Sequence, residues 1–386
     1  MSEATFKPSI QPLSIQLAGF YFFFFALTGI SLPYWSPYLL ARGFSPAEIG
    51  TLLAIGMSTK LFAPYLWGAL ADTKHRRMAI VRLACLGALL SFSAVYWLPI
   101  GLLSWGLLIF VFHFFWNATL PQFEATTLNH LGQHSHRYSW IRLWGSVGFI
   151  LSAMLLGFVL EHYDVAIVAH LMLAMIAGLL AISFLIPEAS KKPSSSTHTA
   201  LVHIVRQPAV LAFLLVCLLL QVSHGPYYTF FTIQATDIGY SGGMIGFFWA
   251  LGVIAEVGIF IAAPALLLHY GARFLLLLTL LLTTLRWLLT AYFITTLPVL
   301  LLAQCLHGFS FGLYHAIAIT LIHRYFTGSY QGRGQALLSS FGFGLGGAIG
   351  SFLAGQSWQV IGPTASYLWA AASAFIAWFI AWRWLR

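Results

Sequence analysis

Apolar runs separated by short polar or turn-rich breaks limit most strongly what this chain can fold into. They lie near 15–40, 46–70, 78–99, 103–128, 138–160, 165–187, 208–235, 241–268, 274–294, 297–321, 334–357 and 362–384. Each is long enough, at ~1.5 Å per helical residue, to cross a hydrocarbon core of about 30 Å. The expectation is an all-α membrane protein with twelve transmembrane helices. Composition agrees: 60% of residues are hydrophobic and 7% charged, against roughly 25% charged in soluble domains. Nothing is left over for a soluble domain that binds a large partner.

The net charge of +9 would suggest nucleic acid in a soluble chain, but in a membrane protein cations first report sidedness. With the N-terminus inside, cytoplasmic segments hold Lys7, Lys74, Arg76, Arg77, Arg82, Arg137, Lys191, Lys192, Arg206, Arg273, Arg324, Arg333, Arg383 and Arg386, against Arg42 alone outside. Both termini are therefore expected in the cytoplasm, and no nucleic-acid partner is implied. The first apolar run is too long for a signal-peptide core and lacks a small-residue cleavage site, so retention is expected. Cys85, Cys217 and Cys305 fall within apolar spans and give no disulfide framework. Three cations remain, Lys60, Arg142 and Arg286, and these lie inside the apolar runs.

The segment 188–207, with KKPSSSTHT at its centre, divides the runs six and six. It reads as a flexible cytoplasmic linker between an N-terminal bundle, 1–187, and a C-terminal bundle, 208–386. A constant shift of 196 places GFSPAEIGTLLAIGMSTK (43–60) on GYSGGMIGFFWALGVIAE (239–256), with Gly43, Ser45, Ile49, Gly50, Ala54 and Gly56 on identical residues. The same shift carries Arg77 onto Arg273, Arg137 onto Arg333 and Lys60 onto Glu256. Parallel six-helix repeats of this kind mark transporters whose substrate site lies at mid-membrane between the halves.

The loop GALADTKHRR, Gly68 to Arg77, resembles the signature of the major facilitator superfamily. SLPYWSPYLL (31–40), RLWGSVGF (142–149) and RWLLTAYFITTLPVLLLAQCLHGF (286–309) resemble the lactose permease branch, and more closely its phenylpropionic acid permeases. QVSHGPYYTFF and WALGVIAEVGIF strengthen the second likeness. The resemblance implies the major facilitator fold in the cell inner membrane, transport rather than catalysis, and function as a monomer. It implies no cofactor or metal, protons serving as the coupling ion. It also assigns Asp72, Arg76 and Arg77 to a cytoplasmic gate, although a positive-inside anchor accounts equally well for the arginines.

An ion inside a membrane is costly, so each buried charge needs a partner or a wet cavity. Glu124 and Arg142 lie nine residues either side of position 133, and Glu256 and Arg286 fifteen either side of 271, so each pair is expected to meet at one depth. Either pair can be structural. The resemblance makes Glu124 and Arg142 a substrate grip, with two departures: Phe149 stands where the family stacks a Trp on sugar, and Ser310 replaces the carboxylate expected three residues after His307. The proton carrier must then be sought elsewhere. Glu256 is the best candidate, a motion that separates it from Arg286 or rejoins them loading or releasing a proton, with His307 as a relay.

His224, His315 and His113 are each more commonly packed structural groups than ligands, and His224 and Tyr227, with Tyr228, Tyr34 and Trp35, are candidates for an aromatic cavity lining. The row Gly342, Gly346 and Gly350 forms a flat strip for helix packing. Pro33, Pro37, Pro64, Pro226 and Pro264 are expected to kink helices.

Lys60 has no depth-matched acid in the next helix, where Ala88 occupies the mirror position. It either shares Glu124 with Arg142, snorkels to a wet cavity as a structural residue, or waits for an anion. Lys60, Arg142 and Glu124 leave the N-terminal half one positive charge in excess, while Glu256 and Arg286 cancel. A carboxylate bound by Lys60 or Arg142 would balance that excess, and Phe149 and neighbouring rings suit an aromatic tail. The expected function is proton-coupled import of a small organic acid such as phenylpropionate. Proton symport of a neutral sugar or nucleoside is the rival within transporters, and a non-transporting membrane sensor the rival from another class.

Overall fold

The computed structural model describes residues 12–74, 76–189 and 202–385. The centre of the expected linker, 190–201 with Lys191 and Lys192, lies outside the described residues, as do Lys7 and Arg386. Among the described residues, ten helices are long and apolar enough to cross a membrane. They are α1 (Leu13–Ala41), α2 (Pro46–Lys74), α3 (Arg77–Tyr96), α4 (Leu102–His134), α5 (Tyr138–Val159), α6 (Ile167–Leu185), α7 (Pro208–Ile238), α8 (Gly242–Phe293), α9 (Leu297–Tyr325) and α10 (Gln331–Trp384).

At 52 and 54 residues, α8 and α10 far exceed one membrane crossing. Each is broken by a glycine in a conformation that side chains oppose: Gly271 has φ 76° and ψ 156°, and Gly362 has φ 80° and ψ 178°. Both lie close to breaks that the apolar runs place between neighbouring crossings. We refer to the arms before and after each glycine.

Side chains close the helix ends. Ser45 and Glu48 form a reciprocal cap at the start of α2, where the Ser45 backbone N–H donates to Glu48 Oε2 at 2.8 Å. Ser241, which the repeat shift equates with Ser45, accepts from the Met244 N–H at the start of α8. Arg82, expected as a loop anchor, instead donates to the last carbonyls of α6, Ser183 and Ile186, at 3.2 and 2.8 Å. Arg273 does the same for Leu385 and Trp382 after the second arm of α10. A cation at a helix C-terminus answers both the orphan carbonyls and the dipole. Glu188, the first residue of the expected linker, accepts the Met78 N–H at the start of α3.

Between helices in lipid, burial supplies little drive and close contact at small residues supplies more. α1 packs on α5 where Gly29 meets Phe149 and Gly148 meets Phe22. The glycine row faces α7, Gly342 against Cys217, Gly346 against Gln221 and Gly350 against Val222, which bears out its packing role. Pro64 follows a tight turn in α2, and Pro226 follows a break at His224 in α7.

At the end carrying residues 42–45 and 239–241, α1–α6 close against α7–α10. Gly50 lies on Ser351 and Gly355, Gly157 faces Gly242, and the Ala47 N–H donates to Gln359 Oε1 at 3.1 Å. Tyr34 donates to the Ala153 carbonyl at 2.7 Å. Glu161, just past α5, completes the seal by accepting the Gly243 N–H at 2.7 Å on the first turn of α8.

That N–H, with the Ser241 hydroxyl, holds the Glu161 carboxyl below the usual carboxylate range. A lowered acid stabilises the closed end above its ordinary pKa and loses that contribution as pH falls through the lowered value. In a background without Cys85, Cys217 and Cys305, spin labels attached at Ala47→Cys and Gln359→Cys are expected to lie equally close at pH 7 and pH 6 and to separate at strongly acidic pH. Adding Glu161→Gln should lengthen the distance and remove the acid dependence. Equal distances with and without Glu161→Gln would show that this carboxylate does not hold the end shut.

Candidate functional site

α2 is not continuous at its centre. It is α-helical over Pro46–Ser58, tightens into a 3-10 turn over Thr59–Leu61, and resumes at Ala63. Pro64 follows the turn, and Thr59 is tied on both sides, donating to the Gly56 carbonyl and accepting from Asn117 Nδ2, each at 2.7 Å. Lys60 sits in this turn. It is half-buried, and its backbone approaches Gly344 so closely that a Cβ there would stand 3.1 Å from the Lys60 Cβ. Gly344 belongs to a π-helical stretch, Leu338–Gly346, a form frequent at functional sites.

The Lys60 ammonium makes no ion pair or hydrogen bond among the described residues, and it is not sealed from accessible space. Sharing Glu124 with Arg142 is thus not what the structure shows. Lys60 is an unpartnered cation within electrostatic reach of His113.

Glu124 and Arg142 meet as their spacing suggests. Arg142 Nε stands 3.8 Å from Glu124 Oε1, which also accepts from the Tyr138 hydroxyl at 3.2 Å, and the guanidinium lies 3.9 Å over the Phe25 ring. This is a loose pair with both side chains about a third exposed, at 30% and 36%. Arg142 also lies within electrostatic reach of Glu256 and His315, so it faces α8 and α9 across the interior.

Glu256 and Arg286 do not pair directly, contrary to expectation. His307 stands between them: Arg286 Nη1 lies 3.1 Å from His307 Nδ1, and His307 Nε2 lies 3.7 Å from Glu256 Oε2. Symmetric spacing about a turn fixes depth but not rotation about each helix axis. α9 comes close enough to insert a ring because Gly252 lies on His307, Gly308 on Ala255 and Gly312 on Glu256. Guanidinium is only a donor, so His307 Nδ1 accepts and its Nε2–H points towards the carboxylate. At 3.7 Å that second contact is too long for a hydrogen bond and is easily made or broken.

Arg286 is fully buried and held by groups that the sequence did not pair with it, Ser310 and Tyr227 having been singled out for other reasons. Nε donates to the Ala303 carbonyl at 3.0 Å, Nη1 to Ser310 Oγ at 2.9 Å, and the guanidinium lies 4.4 Å from both the Tyr227 and Trp287 ring centres. Ser310 thus takes a contact that a carboxylate would occupy in the resemblance. Tyr227 donates to Gln304 Oε1 at 2.7 Å, and His224 packs edge-on to Trp287 with Nδ1 on the Leu220 carbonyl. These two residues, assigned to substrate from sequence, form the wall behind Arg286. Phe149 is buried against Gly29. Asp72 pairs with Arg77 of its own loop at 2.9 Å, beside exposed Arg76.

A cavity of about 100 Å³ opens between α1, α2, α3, α4, α6, α7 and α10, lined in part by Trp35, Ser36, Met57, His113, Trp116, Tyr228 and Ser351. Met57 is one residue short of a turn before Lys60. Trp35 and Tyr228 were anticipated as lining; Ser36, Trp116 and Ser351 were not, for no single-residue signal separates them from packing.

The model of the MFS_1 like family matches residues 14–369. The chain belongs to this family of the major facilitator superfamily. It is 32% identical over 353 residues to a probable 3-phenylpropionic acid transporter of Escherichia coli (strain K12), covering 90% of this chain and 91% of that one. To a maltose permease of Geobacillus stearothermophilus it is 26% identical, covering 88% and 87%. A crystal structure of the nucleoside transporter NupG superposes with a TM-score of 0.83 at 17% identity, over 97% of this chain and all of that one. The protein is thus a multi-pass membrane transporter of small molecules and not an enzyme.

Arg286→Ala would leave the Ala303 carbonyl, Ser310 and His307 without their donor in a dry site, and its expected cost is on the order of 3–5 kcal/mol. Arg286→Lys should recover only part, since an ammonium lacks the planar fork. Thermal unfolding of detergent-purified protein checks this, and a wild-type midpoint for Arg286→Ala would refute the assignment.

Proposed function

We propose that the protein is a proton-coupled symporter importing a small aromatic carboxylic acid by alternating access. Two six-helix repeats, 1–187 and 208–386, joined by the 188–207 linker, would rock about the site. They make twelve crossings when α8 and α10 are divided at Gly271 and Gly362, with both termini in the cytoplasm and the chain in the inner membrane. The recurrence of Ser45 and Ser241 as side-chain caps at the starts of α2 and α8 supports the repeat. The observation that carries the substrate reading is Lys60, a cation without a partner at a turn in α2, facing the glycine-lined first arm of α10. The 32% identical phenylpropionic acid relative points the same way.

In this reading the carboxylate pairs with Lys60, and the Glu124–Arg142 pair, loose enough to reorganise, orients it or closes on it. Glu256 carries the proton. Among the described residues its nearest polar partner is His307, at a breakable distance, and His307 is tied to Arg286, so rearrangement between α8 and α9 alters what faces the carboxylate. Asp72, Arg76 and Arg77 latch the cytoplasmic loop. Symport of a neutral sugar or nucleoside is the second reading, favoured by the maltose permease relative and by a Glu–Arg pair suited to hydroxyls. Uptake of labelled phenylpropionate, maltose and uridine into proteoliposomes, with and without a pH gradient, separates the two. Accumulation without any gradient dependence would discard symport.

Two variants test the residue assignments. Glu256→Gln keeps the shape of the side chain but cannot cycle a proton, so accumulation should stop while equilibrium exchange persists. Accumulation by Glu256→Gln in proportion to the pH difference would move the carrier to another residue. Lys60→Met should weaken carboxylate binding by on the order of 1.5 to 3 kcal/mol, the scale of a charged hydrogen bond, and Lys60→Arg should keep part of it. Amide analogues should barely distinguish Lys60→Met from wild type; unchanged carboxylate affinity in Lys60→Met would favour the neutral-substrate reading.

A further inference from the structure

The cavity beside Lys60 combines two properties that ordinary packing does not explain. Its walls are aromatic: Trp35, Phe112 and Trp116 line it, the last two stacked with ring centres 6.1 Å apart. Its volume of about 100 Å³ is of the order of the ~150 Å³ at which a dry cavity takes up one benzene ring. Yet several of its lining residues, Ser36, His113, Tyr228, Thr229 and Ser351 among them, carry polar atoms with no protein partner among the described residues.

Ser36 and Ser351, only 3% and 5% exposed, make no side-chain hydrogen bond among the described residues. Neither does the Tyr228 hydroxyl. His113 gives its Nδ1–H to the Ile109 carbonyl at 2.9 Å, which leaves Nε2 as a lone-pair acceptor. None of these four atoms is among the sealed, partnerless ones, so each keeps surface that a small molecule can reach. Buried polar groups are nearly always satisfied, and where the protein supplies no partner a ligand or water does.

We infer that this cavity is a ring subsite selective for a hydroxylated aromatic ring. Trp35, Phe112 and Trp116 enclose the ring faces, His113 Nε2 accepts the phenolic hydrogen, and Ser36 or Ser351 donates to the phenolic oxygen. Lys60 lies three residues beyond the cavity-lining Met57 on the same helix and within electrostatic reach of His113. The ring is then the tail of an acid whose carboxylate meets Lys60, so the inference rests on the carboxylate-importer reading. The substrate class is a hydroxyphenyl-substituted short-chain carboxylic acid.

The test is isothermal titration of purified protein with 3-phenylpropionate, its ring-hydroxylated analogue and its ring-methoxylated analogue, which keeps an acceptor but has no hydrogen to give. Wild type should prefer the hydroxylated acid over the plain acid by roughly three- to tenfold, the worth of one or two neutral hydrogen bonds, and should rank the methoxylated acid below it. In Ser36→Ala/Ser351→Ala and in His113→Leu that ratio should fall towards one, and His113→Gln, which keeps an acceptor, should restore part of it. Thermal unfolding identifies variants that fail to fold, and the wild-type ratio stands without them. Equal wild-type affinity for the plain and hydroxylated acids overturns the inference while leaving the carboxylate reading in place, as does a ratio unchanged in folded variants. If neither acid binds wild type while uridine or maltose does, both fall together.

Discussion

A charge inside hydrocarbon has no solvent to fall back on, and the interior of this transporter is arranged around that constraint. Lys60, Glu124, Arg142, Glu256 and Arg286 lie towards the middle of the crossings, and each is answered differently. Arg286 is enclosed by a carbonyl, a serine, a histidine and two rings, with only Nη2 left without a partner. Glu124 and Arg142 lean on one another and on Tyr138 and Phe25. Glu256 has a distant imidazole, with Arg142 further off across the interior. Lys60 has nothing of opposite sign among the described residues. The gradation runs from structural to functional, since the more of a group's bonding the protein supplies, the less it has to offer a substrate or a proton.

Glycine provides the complementary freedom. His307 reaches Arg286 and Glu256 because three glycines let α8 and α9 approach, and the closed end forms because Gly50, Gly157, Gly242 and Gly355 let four helices meet at their backbones. Contacts this close are made in full or not at all, as expected of surfaces that seal at one stage of a cycle and part at another. The carboxylate of Glu161 on the first turn of α8 adds a polar contact at the same place.

Much of this was legible in the sequence, and what was not has a physical reason. Span positions followed from the length of apolar runs, because the bilayer sets that length. The Glu124–Arg142 pair followed from equal spacing about a turn. The same rule failed for Glu256 and Arg286 because depth is one coordinate and rotation about the helix another; His307 was noted as a relay, yet its insertion depends on glycines from two helices at once. The turn at Lys60 was hidden because Pro64 signals a break without saying where it falls. His224 and Tyr227, expected at the substrate, stand in the wall behind Arg286, and no sequence mark separates such a wall from the lining of a cavity. The cavity itself arises from seven helices, and no local pattern records such an arrangement.

Gly271 and Gly362 have a consequence for how motion travels. Each joins two long helical arms with a single residue, so between the arms there is no slack of the kind a flexible loop provides. A tilt of the arm bearing Glu256 reaches the arm bearing Arg286 through one glycine, the sole backbone point at which the direction changes between them. The two groups that flank His307 are therefore tied by a short joint although they sit on separate segments, and how far their arms can part there is set by the φ and ψ open to that one residue.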